Sequence, residues 1–229
     1  MLLAGRAGGP EERLVPAAGF ALETVRMRGL DRDAPWKNLA LPYLLPAGLR
    51  RGTRIVDAFK PDVAIGVGGY VMAPALWGCR RRGVPYVLQI SEAGGLANRL
   101  FRGGAAAACV TFPEDVARFP TRRTVLTGYP LRPGFRRRTP EVPPRTLVVM
   151  GGSQGARRLN QAVWGALPEL LERFAEVVHL TGAQGEAESA RHARPGYRPL
   201  AFSSEMPALL GAADLVVCRA GVGTIAELT

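Results

Sequence analysis

Short, continuous runs of apolar residues recur along the chain and predict its strands. The clearest runs are at residues 62–67, 85–90, 108–112, 124–127, 146–150, 177–180 and 214–218. Because these runs do not alternate with polar residues, they indicate parallel strands that are covered on both faces. After residue 156 the apolar spacing changes to three and four, which predicts one helical stripe: Leu159, Val163, Ala166, Leu167, Leu170, Leu171 and Phe174. Strands that alternate with helices indicate a doubly wound α/β architecture.

A stretch rich in proline and arginine divides the chain. Residues 133–144 contain four prolines and three arginines and show no core pattern. Such segments join domains, so we expect a first domain at residues 1–132, a linker at 133–144 and a second domain at 145–229. The first residues already have strand character, and the final helical segment at 224–229 covers about a turn and a half. We therefore expect a fragment that lacks its first strand and has an incomplete second domain.

The charge balance is strongly basic. The chain has 30 Lys and Arg residues against 19 Asp and Glu, a formal net charge of +11. Such a surface attracts phosphates, nucleic acid or an acidic membrane face, although the arginine bias of a GC-rich genome explains the excess equally well. The three cysteines lie far apart and support neither a disulfide framework nor a zinc site, which favours a reducing cytosol. No apolar run approaches the roughly 20 residues that span a bilayer.

Glycine-rich turns follow three of the predicted strands, at residues 66–70, 151–156 and 219–223. Each lies between a strand and a helix, where glycine lets the backbone approach a ligand and free N–H groups attract an anion. The turn at 151–156 contains neither the Gly-Lys-Ser/Thr of a Walker loop nor the strict dinucleotide-binding spacing. A tight packing turn remains the alternative for each of them.

Thr224 and Glu227 admit two interpretations. Their spacing is typical of a capping box, in which Thr224 caps the helix and the Glu227 carboxylate reaches back to its N–H. A carboxylate beside a phosphate-binding turn can instead accept hydrogen bonds from ribose hydroxyls. The pattern alone does not choose between them.

Taken together, the three turns resemble the MurG family of UDP-N-acetylglucosamine transferases. The matching motifs lie at residues 68–74, 95–99, 151–160 and 213–221, followed by Glu227. The resemblance implies a GT-B glycosyltransferase fold, with two Rossmann-like doubly wound α/β domains facing across a cleft. It also implies transfer of GlcNAc from UDP-GlcNAc to undecaprenyl-pyrophosphoryl-MurNAc-pentapeptide, with inversion. This is the step from lipid I to lipid II in peptidoglycan synthesis.

Site residues follow from the resemblance by position. Those implied at the donor are Arg132, Ser153, Gln154, Ser203 and Glu227, with Gly151, Gly152 and Gly155; those implied at the acceptor are Gly68, Gly69, Tyr70 and Asn98. The family's N-terminal Gly-rich loop, which carries a candidate base, and its paired sugar-binding glutamines have no counterpart in this sequence. Glu92 stands where polar acceptor lining is expected, but the catalytic base stays unknown. This chain by itself is expected to be inactive.

No metal or cofactor is expected. The sequence Asp31-Arg32-Asp33 is only a nominal metal-binding pattern, because no strand signal precedes it. His179 lies within an apolar strand and is expected to be a satisfied core or cleft residue. His192 lies in a charged loop and is expected to be solvated.

Membrane contact is predicted at Trp36, Lys37 and Leu44, because apolar residues with a basic rim suit the interface of an anionic bilayer. An amphipathic helix packed on the sheet is the alternative. The expected location is peripheral, on the cytoplasmic face of the plasma membrane, with roles in cell wall formation, cell shape and division. No nucleic-acid partner is expected, since the aromatic residues show no stacking motif. A nucleotide-sugar binding module and a different UDP-sugar GT-B transferase are the alternative functions.

Overall fold

The computed structural model describes residues 1–29, 36, 39, 41–91, 95–119, 121–152 and 155–229. These residues form two compact units, Met1–Tyr129 and Pro130–Thr229. Every strand pairing in these residues is parallel. The predicted α/β class with parallel strands is therefore confirmed.

The first unit combines a pair of strands with a larger sheet. Its strands are β1 (Leu2–Arg6), β2 (Ala21–Val25), β3 (Ala64–Gly66), β4 (Tyr86–Ile90), β5 (Ala107–Val110) and β6 (Thr124–Leu126). Its helices are α1 (Glu11–Ala17), α2 (Leu41–Phe59), α3 (Ala73–Arg82), α4 (Leu96–Phe101) and α5 (Pro113–Arg118), with 3-10 turns at Tyr70–Met72 and Arg102–Gly104. β1 pairs with β2, and the other strands form a sheet in the order β3-β4-β5-β6.

The second unit is built around one four-stranded sheet. Its strands are β7 (Thr146–Met150), β8 (Glu176–Leu180), β9 (Tyr197–Leu200) and β10 (Leu215–Cys218), in the order β10-β7-β8-β9. Its helices are α6 (Arg157–Gly165), α7 (Leu167–Arg173), α8 (Glu186–Arg191), α9 (Met206–Ala212) and α10 (Val222–Leu228), with a 3-10 turn at Ala183–Gly185.

Strand β7 shows why the strand sequences are continuously apolar. Leu147 and Val149 belong to a core cluster that includes residues of α6 and α7. Val148 and Met150, which point to the opposite face, pack in a second cluster that includes residues of α9. Because both faces of the sheet are covered, every residue of the strand after Thr146 is buried, and polar alternation disappears.

Two strands, β2 and β9, lack the apolar signal that identified the others. β9 reads Tyr197-Arg198-Pro199-Leu200 and lies at an edge of its sheet. Proline cannot donate to a sheet ladder, so an edge is the position that tolerates it. β2 pairs only with β1 in the structure and has one buried residue, Val25. Half-covered strands therefore escaped a search for continuous apolar runs.

The helical stripe after residue 156 forms two helices instead of one. Helix α6 ends at Gly165 and α7 begins at Leu167, with Pro168 at its second position. Proline has no backbone N–H to donate to the preceding turn, so it starts a new helix at this point. The apolar stripe survives the break, since Val163 and Leu167 both pack in the same cluster.

The stretch expected as a linker instead packs within the second unit. Phe135 contacts the cluster under α9, and the Arg138 guanidinium lies 2.9 Å from an Asp214 carboxylate oxygen. The backbone N–H of Glu141 donates to the same carboxylate at 2.9 Å. The segment lacks an apolar pattern because hydrogen bonds and charge hold it.

Close packing of α2 on α3 depends on glycine. A Cβ atom added at Gly52 would lie 2.1 Å from the Pro74 carbonyl oxygen, and one added at Gly78 would lie 2.9 Å from the Thr53 Cα. Both contacts are with backbone atoms, which cannot turn away as a side chain can. The two helices can approach this closely only without side chains at these positions.

We expect Gly52→Ala to lower the melting temperature of the protein. Overpacking a buried site costs about 1–3 kcal/mol, which exceeds the gain of about 0.5–1 kcal/mol in helix propensity. Gly103→Ala is the matched control, since nothing lies within 4 Å of its added Cβ. Thermal unfolding followed by circular dichroism measures both variants. A Gly52→Ala protein as stable as the control would show that this contact does not determine how closely α2 and α3 pack.

Candidate functional site

The four strands of the second sheet end level with one another. Met150 of β7 pairs with both Cys218 of β10 and Leu180 of β8, and Leu180 pairs with Leu200 of β9. The turns that follow, at residues 151–156, 181–185, 201–205 and 219–221, therefore lie side by side along one edge of the sheet. We call this edge the carboxyl edge. It brings two of the three predicted anion-binding turns together, one after β7 and one after β10.

Three glycines shape the turn after β7, each for its own reason. A Cβ at Gly151 would lie 2.6 Å from the Ala156 backbone nitrogen, so this position needs space. Gly152 has φ +85°, and among the described residues no atom lies within 4 Å of an added Cβ, so the left-handed conformation is the requirement that the structure shows here. Gly155 needs both, because its φ is +75° and an added Cβ would lie 2.3 Å from the Thr181 carbonyl oxygen. Ser153 and Gln154 lie outside the described residues.

Arg132 and Glu227 meet in the second unit. An Arg132 guanidinium nitrogen donates to Glu227 Oε1 at 3.3 Å, with the arginine side chain 55% exposed and the carboxylate 17% exposed. Helix α10 begins at Val222 with Gly221 as its N-cap residue, so Thr224 lies inside the helix. The capping-box interpretation is therefore wrong. Ion pairs with an exposed partner such as Arg132 are weak, so each side chain can leave the other and bind a ligand instead.

Ser203 follows β9 on the same edge. Its side-chain oxygen accepts the backbone N–H of Glu205 at 3.2 Å, and the neighbouring Phe202 is 74% exposed. The structure therefore brings the described donor candidates, from Arg132 to Glu227, into one unit. Their contacts with a donor stay a prediction.

The acceptor candidates belong to the first unit. Gly68 and Gly69 follow β3 with φ of +98° and +72°, and no atom of the described residues lies within 4 Å of a Cβ added at either. The Tyr70 hydroxyl accepts a long hydrogen bond of 3.5 Å from Arg6. Asn98 is 4% exposed within α4, so its side chain packs inside the protein instead of facing solvent.

The predicted membrane residues are partly described. Trp36 is 69% exposed, and Leu44 is half-buried near the start of α2, next to the exposed Tyr43. The end of α2 is different, since Ile55 and Val56 are buried. Lys37 lies outside the described residues, as do Glu92 and the Asp31-Arg32-Asp33 sequence.

The two histidines differ from each other in environment. His179 is fully buried in β8, and burial lowers its pKa to about 4, so it stays neutral near pH 7. His192 stacks on Trp164 with ring centroids 5.3 Å apart and planes 5° apart. His192 is therefore partly solvated, with its side chain 26% exposed beside Glu188. Among the described residues, no group of three His, Cys, Asp or Glu side chains is arranged to hold a metal ion.

Two features of the second unit were missed in the sequence. The carboxyl group of Asp214, with its side chain only 2% exposed, accepts hydrogen bonds from three backbone N–H groups of the 141–146 segment. The turn at residues 181–185 follows β8 and carries Gly182 and Gly185, the same signal that marked the other turns. A strand followed by glycines could have identified this turn, but no local signal pairs Asp214 with a segment about 70 residues away.

Comparisons with known proteins agree with this geometry. The sequence profile of the glycosyltransferase family 28 C-terminal domain matches residues 146–229. The chain is 38% identical over 242 residues to a UDP-N-acetylglucosamine–N-acetylmuramyl-(pentapeptide) pyrophosphoryl-undecaprenol N-acetylglucosamine transferase of Salinibacter ruber, covering 100% of this chain and 65% of that protein. A Pelobacter propionicus protein of the same name is 36% identical over 261 residues, covering 100% of this chain and 69% of its own length. The chain thus spans about two thirds of these relatives.

Solved structures point the same way. The crystal structure of Acinetobacter baumannii MurG is similar with a TM-score of 0.66 and 28% identity, over 97% of this chain and 63% of that chain. The calicheamicin glycosyltransferase CalG4 shares the fold with a TM-score of 0.62 at 14% identity, over 99% of this chain and 69% of that chain. The predicted GT-B class is confirmed by these similarities. The chain belongs to the MurG family of glycosyltransferases.

Proposed function

We propose that the second unit binds UDP-GlcNAc, and that the whole protein transfers its GlcNAc to undecaprenyl-pyrophosphoryl-MurNAc-pentapeptide, with inversion. This is the lipid I to lipid II step of peptidoglycan synthesis. The names of the relatives support the donor and the acceptor. Because the chain spans about two thirds of those relatives, transfer is proposed for the whole protein and donor binding for this chain.

The observation that carries the donor proposal is the position of the turns at residues 151–156 and 219–221. β7 is the first strand of its sheet, the chain continues to β8 on one side, and β10 lies on the other side. The strand order therefore reverses between β7 and β10, and ligands of open α/β sheets bind outside the carboxyl ends of the strands at such a point. Both turns flank that point, with Met150 and Cys218 in register just before them.

The chemistry of the carboxyl edge fits a nucleoside diphosphate. Backbone N–H groups at the start of α6 attract the diphosphate, since the positive end of the helix dipole lies there. On ligand binding, Glu227 accepts hydrogen bonds from the ribose hydroxyls and Arg132 turns to the diphosphate. The proposal assigns Ser203 to the uracil edge and further polar contacts to Ser153 and Gln154. Preorganised donors aimed at the departing UDP stabilise its developing charge, and such donors are usually the largest catalytic contribution.

Acceptor binding is assigned to the first unit. The turn at Gly68 and Gly69, followed by Tyr70, supports a contact with the acceptor pyrophosphate, because no atom of the described residues lies within 4 Å of a Cβ added at either glycine. Asn98 supports this region from inside α4. Glu92 adds polar lining, and the proposal assigns no catalytic base.

Membrane association is part of the proposal. Trp36, Leu39 and Tyr43 are each more than two thirds exposed, and Leu44 follows Tyr43 in α2. Exposed apolar side chains together with Lys37 suit the surface of an anionic bilayer on the cytoplasmic side. Within the described residues, none of the helices combines the length and apolar character that crossing a bilayer requires.

Isothermal titration calorimetry of this chain tests the donor site. We expect UDP and UDP-GlcNAc to bind without added metal, and Glu227→Gln to weaken UDP binding about tenfold to a hundredfold, since hydrogen bonds to a charged group contribute about 1.5–3 kcal/mol. Glu172→Gln on the exposed side of α7 is the matched control and keeps the wild-type affinity.

Two further outcomes bear on the proposal. Tighter binding of single-stranded DNA than of UDP would overturn it in favour of a nucleic-acid function. Radiolabelled GlcNAc transfer is expected to be negligible with this chain and measurable with a protein of the relatives' full length. Transfer of a different sugar by that longer protein would replace the proposed donor.

A further inference from the structure

A network of largely buried hydrogen bonds lies next to the turn after β7. The Trp164 indole nitrogen lies 3.0 Å from the Tyr197 hydroxyl, which lies 3.0 Å from His179 Nδ1. His179 Nε2 lies 3.1 Å from Asn160 Oδ1, and Asn160 Nδ2 lies 2.8 Å from the Thr181 carbonyl oxygen. His179 is 0% and Asn160 4% exposed. Four side chains from α6, β8 and β9 therefore form one polar network inside the second unit.

The direction of every proton in this network follows from its last member. The Thr181 carbonyl oxygen can only accept, so the Asn160 amide N–H donates to it and Asn160 Oδ1 faces His179. Nε2 of a neutral imidazole therefore carries the ring proton and donates to Oδ1, which leaves Nδ1 to accept from the Tyr197 O–H. The Tyr197 oxygen also accepts from the Trp164 indole N–H, which can only donate. Burial lowers the pKa of His179, which favours this neutral form.

The Thr181 carbonyl is where the network meets the glycine turn. A Cβ at Gly155 would lie 2.3 Å from this oxygen, so the turn packs directly on it. A Cβ at Gly185 would lie 2.7 Å from both Asn160 Nδ2 and Thr181 Cβ, so glycine at 185 makes room for the amide. The position of the Thr181 peptide group therefore determines how closely Gly155 can pack.

Asn160 also belongs to the helix that the turn begins. Its backbone N–H donates to the Ala156 carbonyl at 2.8 Å, in the first turn of α6. Its side chain consequently joins the start of α6 to the end of β8. Buried polar groups are costly unless they are paired, and here each side-chain nitrogen and oxygen of the network has a hydrogen-bond partner. An apolar residue of the same size would fill the space without fixing the carbonyl.

We infer that Asn160 is a positioning residue for the diphosphate turn, held in its orientation by His179 and Tyr197. The network fixes the Thr181 peptide, and this peptide holds Gly155 and the start of α6 in the shape that presents backbone N–H groups to the ligand. The inference rests on the proposed function in one respect, since it takes the turn at residues 151–156 to be the diphosphate site.

Asn160→Asp and Asn160→Leu test the inference against a stability control. Asp keeps an oxygen for His179 but has no proton for the Thr181 carbonyl, and Leu keeps only the volume. We expect both variants to bind UDP at least about tenfold more weakly, the cost of a lost buried hydrogen bond. Val163→Ala, a buried apolar truncation in the same helix, lowers the melting temperature but keeps the wild-type affinity.

Amide exchange of Gly155 supplies a readout that needs no ligand. Its N–H donates to the Gly152 carbonyl at 2.9 Å, so its exchange rate reports whether the turn stays closed. We expect exchange measured by NMR to accelerate at least about tenfold in the Asn160 variants and to stay unchanged in Val163→Ala. His179→Gln, which can still donate to Asn160, is expected to retain more protection than His179→Leu.

The outcomes separate the two proposals. Wild-type protein that does not bind UDP, combined with accelerated Gly155 exchange in the Asn160 variants, would refute the donor site and leave the positioning role intact. Folded Asn160 variants with wild-type UDP affinity and wild-type exchange would overturn the inference. If the Asn160 variants fail to fold, Tyr197→Phe replaces them as the test. A Tyr197→Phe protein with unchanged UDP affinity and unchanged Gly155 amide exchange would also overturn the inference.

Discussion

Gly155→Ala should abolish measurable UDP binding while Gly165→Ala leaves it unchanged. Two effects add at Gly155: a φ of +75° that an alanine side chain disfavours, and a Cβ placed 2.3 Å from the Thr181 carbonyl oxygen. The left-handed conformation alone costs about 1–2 kcal/mol, and overpacking adds about 1–3 kcal/mol. The turn can relieve both only by moving away from the carbonyl. That movement turns its N–H groups away from the diphosphate.

Controls for this variant come from the same unit. Gly165 lies in α6 with nothing within 4 Å of an added Cβ. Gly152→Ala should have an intermediate effect, because it is strained by its φ of +85° but meets no atom of the described residues within 4 Å. Calorimetry with UDP measures affinity, and circular dichroism confirms that each variant is folded. A folded Gly155→Ala protein that binds UDP within about threefold of the wild type would contradict the expected mechanism.

The second large effect is expected at Asp214, where Asp214→Asn should lower the melting temperature by at least about 5 °C at pH 7. The Asp214 carboxylate accepts N–H groups from Glu141 at 2.9 Å, Arg145 at 3.0 Å and Thr146 at 2.9 Å. An Asn side chain accepts through one oxygen only, so its NH2 group would face backbone donors. The segment that carries Arg138 would then lose its attachment to the start of β10.

The pH dependence of this effect has a defined sign. The backbone N–H groups of Glu141 and Thr146, with that of Arg145 and the Arg138 charge, lower the pKa of Asp214 to about 2. An unfolded Asp titrates near about 3.9, so the stabilisation is complete above that pH and is lost as the pH falls towards 2. The difference in melting temperature between wild type and Asp214→Asn should therefore shrink between about pH 4 and pH 2.

Glu188→Gln is the control for Asp214. Glu188 pairs with Arg191 at 2.7 Å on the surface of α8, where an exposed ion pair contributes little. Its melting temperature should change by no more than about 2 °C at any pH. A pH-independent difference between wild type and Asp214→Asn would show that the carboxylate charge is not what holds the segment.

The sequence predicted the features that depend on local chemistry. Buried strands such as β7 are continuously apolar because both faces are covered, and the glycines at 151, 152 and 155 follow that strand directly. Each signal lies within a few residues of the structure that it produces. The motifs that identified the family are local signals as well, because they include the glycine-rich turns.

The misplaced features have local as well as distant causes. Pro168 divides the helical stripe, which follows from local proline chemistry that the apolar spacing concealed. Strand β9 contains Pro199, which is tolerated because of the strand's position at the edge of the sheet. The Asp214 contacts with residues 141–146 span about 70 residues of sequence.

The sequence by itself determined the α/β class, the family and the positions of the glycine turns, because apolar runs and glycine conformation act over a few residues. Tertiary structure alone decided which groups meet. The register of β7 with β8 and β10 sets the turns side by side, and Arg132 reaches Glu227 across 95 positions of sequence. Those contacts arise when the sheet assembles, and sheet order is set by packing between segments that no local pattern relates.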